Sequence, residues 1–292
     1  MPTDIRWSVW KNLPLTLSPA VLDELLDGGQ SFRWNRQTDG TRIGIWGENV
    51  ARISLANNEA LRWSAPRECA DHVEPALQVY LGLESNHTAK VDSLPWRSDA
   101  HLATCLETFT GLRILRQPFG EALLCFLCSA TKQIVQIKQM VALLAESHGT
   151  EIVPGFPRLP TWDELARVSE ESLRDCKLGF RAKHIHETAQ FLAANPGWLA
   201  ATETAPYTEA KERLCTLPGV GEKVADCVLL FGAGRLEAFP VDTWILKTMA
   251  RRYGLDDWKP AQVAHFGRTH FGPLAGLAQQ YLFAYERRVA RS

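Results

Sequence analysis

One run, Leu217-Pro218-Gly219-Val220-Gly221-Glu222-Lys223-Val224-Ala225-Asp226-Cys227, limits what this chain can fold into more than any other stretch. Leu214 and Leu217, three apart, mark a short amphipathic helix over residues 211–217. Pro218 ends it, because proline inside a helix removes a hydrogen bond and clashes with the preceding turn. Gly219 and Gly221 permit backbone angles that residues with a Cβ adopt poorly. A second helix restarts at Glu222, with Val224, Cys227, Val228 and Phe231 giving an apolar face at helical spacing. The product is a pair of helices joined by a tight turn, at about residues 208–232. The N–H groups of Gly219, Val220, Gly221 and the new helix N-terminus make a site for a phosphate. Such a contact grips nucleic acid by its backbone without reading its sequence.

Two residues decide whether this helix-hairpin-helix only binds or also reacts. Lys223, second in its helix, has a bland reading as a phosphate contact and a sharper one as a nucleophile. A nucleophilic lysine must be neutral. A helix N-terminus disfavours a cation by only about 0.3–1 kcal/mol, so burial and other cations must supply most of what deprotonation needs. Asp242, in Phe239-Pro240-Val241-Asp242, precedes Thr243-Trp244-Ile245-Leu246 and reads as the N-cap of a helix. Capping and catalysis are compatible, since both want an ionised carboxylate at a helix N-terminus. An ionised Asp242 near Lys223 opposes deprotonation, which calls for separation between them or for a lysine deprotonated only in the substrate complex.

The pattern LPGVGxKVADC followed by PVD resembles the helix-hairpin-helix superfamily of base-excision glycosylases, and within it the 8-oxoguanine DNA glycosylase/lyase family in a bacterial-type variant. Gly29-Gln30-Ser31-Phe32-Arg33-Trp34 and Leu178-Gly179-Phe180-Arg181-Ala182-Lys183 extend the likeness over nearly the whole chain. The resemblance implies a DNA repair enzyme that flips 8-oxoguanine out of duplex DNA, a step required because the duplex hides C1′ and the base edges. Lys223 then corresponds to the nucleophile at C1′ and Asp242 to the carboxylate that stabilises charge on the sugar. Displacement of the base, a Schiff base with the opened sugar and β-elimination on the 3′ side complete the reaction. Relatives that only remove the base keep the aspartate and lack this lysine.

The same resemblance assigns the substrate contacts. The Gly29 carbonyl corresponds to the acceptor for the N7–H that 8-oxoguanine has and guanine lacks. Cys227 and Phe283 correspond to residues packing on the two faces of the flipped base, and Gln279 to one bonding its Watson–Crick edge. By physics alone Cys227 and Phe283 are core residues and Gln279 lies on a helix surface. Phe180 matches a wedge aromatic and Arg181 an arginine contacting the orphaned cytosine. Thr131-Lys132-Gln133 replaces an asparagine run that reads that cytosine in the eukaryotic branch, Gln136 stands in place of a second arginine, and Trp244 in place of a histidine. These departures bear on the opposite-base preference. No four-cysteine cluster follows Asp242, so the iron–sulfur loop of some relatives is not expected, and neither a cofactor nor a metal is called for.

A net charge of −1 over 292 residues excludes a global basic field, so DNA binding requires positive charge focused on one face. Arg181, Lys183, Arg287 and Arg288 are the candidates beside the hairpin amides. Seven cysteines without a signal peptide or small-domain spacing read as reduced thiols of a cytoplasmic protein, nucleoid-associated if bacterial. Cys125 and Cys128 lie within an apolar helical run and read as core rather than a metal or redox pair. No apolar run reaches the roughly 18 residues of a membrane span.

The expected architecture is α+β and monomeric: an antiparallel sheet domain over residues 1–100, packed on a mainly helical domain over 101–292. Ile43 and Ile45 alternate in one strand, as do Ala51, Ile53 and Leu55 in the next, and Asp39-Gly40 reads as a hairpin turn. Gly28-Gly29 is open between a helix C-cap and a close backbone approach to a ligand. Pro118, Thr161-Trp162-Asp163-Glu164 and the run 274–291 signal helices. Rival functions are a glycosylase for alkylated or other oxidised purines and a non-catalytic damaged-DNA-binding protein.

Overall fold

The structure, a computed structural model, describes residues 5–290. The ends of both expected domains, residues 1–4 and 291–292, lie outside the described residues. A five-stranded antiparallel sheet comes first, with β1 Lys11–Thr16, β2 Trp34–Arg36, β3 Arg42–Trp46, β4 Asn49–Leu55 and β5 Ala60–Ser64 in the spatial order β1-β5-β4-β3-β2. Helix α1, Pro19–Asp27, joins β1 to β2, and α2 Ala70–Tyr80, α3 His87–Asp92 and α4 Ala100–Thr108 follow. The rest is helical: α5 Phe119–Leu127, α6 Ile134–His148, α7 Trp162–Leu165, α8 Glu170–Leu173, α9 Arg181–Ala194, α10 Trp198–Thr204, α11 Tyr207–Cys215, α12 Glu222–Phe231, α13 Thr243–Tyr253, α14 Pro260–Phe271 and α15 Ala275–Val289. A two-stranded ribbon, β6 Glu151–Val153 and β7 Phe156–Pro157, interrupts the helices.

Local chemistry accounts for much of this. The Asp39 carboxylate accepts from the Thr41 N–H at 3.0 Å and its hydroxyl at 2.7 Å, while Gly40 takes φ +82°, and the hairpin β2–β3 closes there. Thr161 and Glu164 form the expected capping box, with Glu164 N–H on Thr161 Oγ1 at 3.2 Å and Thr161 N–H on Glu164 Oε2 at 2.7 Å. The face of β3 is reversed from the sequence expectation. Arg42, Gly44 and Trp46 are the buried set, and Ile43 and Ile45 are only partly covered. Trp46 stacks on Trp34 at 5.7 Å between centroids, and a Cβ on Gly44 would sit 2.2 Å from the Trp34 ring. Aromatic area outweighs the two isoleucines in choosing the face.

Buried apolar side chains group into two cores. One holds the sheet, α1, α2 and α4 together with residues of α13, α14 and α15. The other gathers α5, α6, α9, α11 and α12, and takes Phe32 from the loop before β2, whose ring meets Phe126 edge-on at 5.6 Å. The C-terminal helices thus complete the core of the N-terminal sheet. Cys125 and Cys128 are buried in the second core as free thiols, and burial pushes Cys128 up to about 12. The seam between the cores holds the site.

Candidate active site

The hairpin is fixed from beneath by Asp226 of α12. Its buried carboxylate accepts from the Tyr207 hydroxyl at 2.7 Å and from Lys211 Nζ at 3.1 Å, both on α11. Removing one partner from a buried pair of this kind costs about 3–5 kcal/mol. Gly219 takes φ +76°, and a Cβ there would lie 2.3 Å from His184 Nδ1. Gly221 differs from the expectation: it is the N-cap of α12 at φ −94°, an angle any residue adopts, and a Cβ on it would meet nothing within 4 Å. Its value is open space in front of the first-turn N–H groups, not unusual backbone. The two glycines therefore separate in a test. Gly219→Ala should lower the urea unfolding free energy by about 1–2 kcal/mol from the left-handed backbone alone. Gly221→Ala should unfold like the parent but lose about tenfold in duplex affinity, about 1.4 kcal/mol, read by fluorescence anisotropy.

From the hairpin, α12 carries Lys223 into the seam, where Nζ lies 5.4 Å from the centre of the Phe126 ring. The Cys227 thiol lines the same cavity as Lys223. Burial pushes that thiol up to about 11, against the lowering effect of Lys223. Opposite stands Asp242, which caps α13 by accepting from the Ile245 N–H at 2.8 Å. Burial raises the Asp242 carboxyl above its ordinary value, and the Ile245 N–H and the Lys223 charge pull it back down. The cap and the proximity to Lys223 coexist. The further cations that a neutral lysine calls for are absent from the lining, where the neighbours of Lys223 include a ring, a thiol and a carboxylate.

Both groups line one cavity of about 50 Å³, together with Gly29, Cys227, Gln279 and Phe283. All four candidate base contacts thus meet the candidate catalytic pair. The volume holds one or two waters, so a purine enters only when lining side chains move. The Gly28-Gly29 alternatives are divided between the two residues. Gly28 closes α1 at φ −83°, and Gly29 takes φ +100° at the cavity wall. Gln30 anchors the loop through Nε2 to the Arg113 carbonyl at 3.0 Å and Oε1 to the Leu115 N–H at 2.9 Å, and its carbonyl accepts from Gln117.

Gln279 is buried, not on a helix surface. Its Nε2 donates to the Pro240 carbonyl at 3.1 Å, and its Oε1 accepts from Gln280 Nε2 at 2.7 Å. Gln280, Phe126, Phe231 and Pro240 also line the cavity and were missed in the sequence. Phe126 and Phe231 look like any other core residue of an apolar helix. Gln280 sits beside Gln279 with no pattern to mark it.

A second group lies apart from that lining. Phe180 is 53% exposed at the start of α9, as a wedge requires. Arg181, expected to face DNA, is instead 3% exposed. Its guanidinium donates to the Leu178 carbonyl at 3.2 Å, to Thr131 Oγ1 at 3.1 Å and to the Ala130 carbonyl, tying the loop before α6 to the turn before α9. Three nearby carbonyl and hydroxyl acceptors outbid solvent for it. Gln136 accepts from the Gln133 N–H at 3.2 Å and so caps α6. Arg287 is also buried, at 5% exposure, while Lys183 and Arg288 remain on the surface. Thr131 takes φ +55°, an outlying conformation for a β-branched residue. Asparagine adopts it more readily, so Thr131→Asn should raise the unfolding free energy by about 1 kcal/mol in denaturant titration, out of the roughly 1–3 kcal/mol such strain costs.

A hairpin that offers N–H groups to a phosphate and delivers a lysine to a buried carboxylate defines the class of helix-hairpin-helix base-excision DNA repair proteins. Residues 124–269 match the HhH-GPD superfamily of base excision DNA repair proteins, and residues 12–123 match the 8-oxoguanine DNA glycosylase N-terminal domain. Similar proteins are the N-glycosylase/DNA lyase OGG1 of Arabidopsis thaliana, 33% identical over 95% of this chain and 80% of its own, and the N-glycosylase/DNA lyase of Saccharomyces cerevisiae, 31% identical over 82% and 70%. Among solved structures, the Clostridium acetobutylicum 8-oxoguanine glycosylase/lyase bound to double-stranded DNA with cytosine opposite 8-oxoguanine superposes with a TM-score of 0.85 at 32% identity, over 92% of each chain. The chain belongs to the 8-oxoguanine DNA glycosylase/lyase family.

Proposed function

We propose that this protein excises 8-oxoguanine from duplex DNA and then cuts the strand, acting as a cytoplasmic monomer. The observation that carries the reading is the single cavity lined by Lys223, Asp242, Gly29, Cys227, Gln279 and Phe283. Hairpin amides hold the backbone, Phe180 fills the gap left by the flipped nucleotide, and the base enters between Cys227 and Phe283. The Gln279 amide exchanges its partners Pro240 and Gln280 for the Watson–Crick edge, and the Gly29 carbonyl accepts the N7–H. The Lys223 amine, freed of its proton in the substrate complex, forms a bond to C1′ as the bond from C1′ to the base breaks. Asp242 stabilises the positive charge that develops on the sugar. Ring opening gives the Schiff base, loss of a C2′ proton expels the 3′ phosphate, and water releases Lys223. Single-turnover incubation with duplexes carrying 8-oxoguanine, alkylated purines or other oxidised purines is the test. Excision of alkylated purines in preference to 8-oxoguanine would overturn it.

The opposite base should matter less than in an enzyme with a full set of cytosine contacts. Each bidentate base contact is worth about 1–3 kcal/mol of discrimination, and here Thr131 is short, Gln136 is spent on a cap and Arg181 is turned inward. Excision of 8-oxoguanine opposite each of the four bases should show a graded preference for cytosine. Strict restriction to cytosine would mean that other residues read the orphaned base.

A further inference from the structure

Gln279, Phe283 and Arg287 recur every four residues along α15 and so share one face of it. The first two line the cavity, and the third lies behind it. Arg287 Nη1 donates to the Gly28 carbonyl at 2.6 Å and to Glu24 Oε1 at 2.8 Å, and the guanidinium carbon lies 5.2 Å from the centre of the Phe283 ring. Glu24 belongs to α1 and Gly28 ends that helix, so one buried cation joins the end of α1 to the wall that carries Phe283.

We propose that Arg287 is a positioning residue, which sets the separation between the Gly29 carbonyl and the Phe283 ring and thereby the preference for 8-oxoguanine over guanine. This rests on the reading in which the Gly29 carbonyl accepts the N7–H. Guanine presents a lone pair at N7, so the carbonyl rejects it only while held against the base. The carbonyl is steadied from both sides. Arg287 fixes the peptide before Gly29, and the bonds from Gln30 to Arg113, Leu115 and Gln117 fix the segment after it. Nη1 alone serves both acceptors, and the delocalised guanidinium also sits over an aromatic ring, a pairing that a compact, strongly hydrated ammonium does not reproduce. Loss of that geometry frees the carbonyl and the ring together, and a displacement of about 1 Å at a reacting contact costs on the order of a hundredfold.

The test uses the full chain with Arg287→Lys and Arg287→Met. Single-turnover excision of 8-oxoguanine and of guanine, both opposite cytosine, gives the discrimination ratio. Cleavage at a preformed abasic site, which puts no base in the cavity, reports the rest of the machinery. The expected result is a ratio reduced about tenfold or more in both variants, with abasic-site cleavage within about twofold of the parent. A purely structural ion pair with Glu24 would lower excision and abasic cleavage together, and that outcome overturns the proposal, as does an unchanged ratio. Should Arg287→Met fail to fold, Arg287→Lys, which keeps the positive charge beside Glu24, decides. A parent protein that does not distinguish 8-oxoguanine from guanine sinks the reading of Gly29. A discriminating parent with equally discriminating variants sinks only the role of Arg287.

Discussion

Lys223→Gln should leave a folded protein that holds duplex DNA and neither releases the base nor cuts the strand. The stability side of this nearly cancels. Removing the cation from the face of Phe126 costs about 0.5–1 kcal/mol, and removing a positive charge from the first turn of a helix returns about 0.3–1 kcal/mol. Glutamine and lysine have similar helix propensities. The hairpin N–H groups and the Tyr207–Asp226–Lys211 anchor are untouched, so binding persists. The chemical side does not cancel, because losing the nucleophile of a covalent enzyme costs on the order of 10⁶ in rate. Borohydride added during incubation with an 8-oxoguanine duplex should trap the parent covalently and leave the variant free. A variant that is trapped as well as the parent would remove Lys223 from the reaction.

Asp242→Asn should slow excision by about 10²–10³, a smaller loss than that of the nucleophile, while the fold is unharmed. Asparagine caps helices about as well as aspartate, so the bond to the Ile245 N–H survives. The direction of the pKa shift adds to this. Burial raises the carboxyl in the folded state, so its protonated form favours folding. That contribution is complete below the ordinary carboxylate value and is lost as pH rises through the raised one. Asparagine mimics the protonated form, and the melting temperature of the variant should equal or exceed the parent's at neutral pH, the two converging in acid. The catalytic form is the ionised one. Single-turnover excision by the parent should therefore fall in acid with a midpoint above 3.8, and that limb should vanish from the residual activity of the variant. Full cleavage by Asp242→Asn would confine the residue to capping.

What could be read in the chain was whatever local chemistry decides. Pro218 and Gly219 stop and turn the backbone, Thr161 and Asp242 cap helices, and Asp39-Gly40 closes a hairpin, each through groups within a few residues. The candidate pair and the four base contacts were legible through the resemblance, since nothing in a sequence brings residue 29 beside residue 283. The misreadings of side-chain placement share one cause, a distant partner. Ile43 and Ile45 take the less covered face of β3 because Trp34 and Trp46 stack on the opposite one. Arg181 and Arg287 look like surface charges by composition and are buried because carbonyls wait for them 51 and 259 positions away. Gly221 was credited with an unusual angle when its role is clearance.

The seam also acts as an interlock. The hairpin, Lys223 and Cys227 are held by one core, and Asp242, Gln279 and Phe283 hang from the other. A molecule in which the two cores have come apart has a lysine with no carboxylate and no pocket. Dividing the reactive parts between two cores means that only the complete structure is armed.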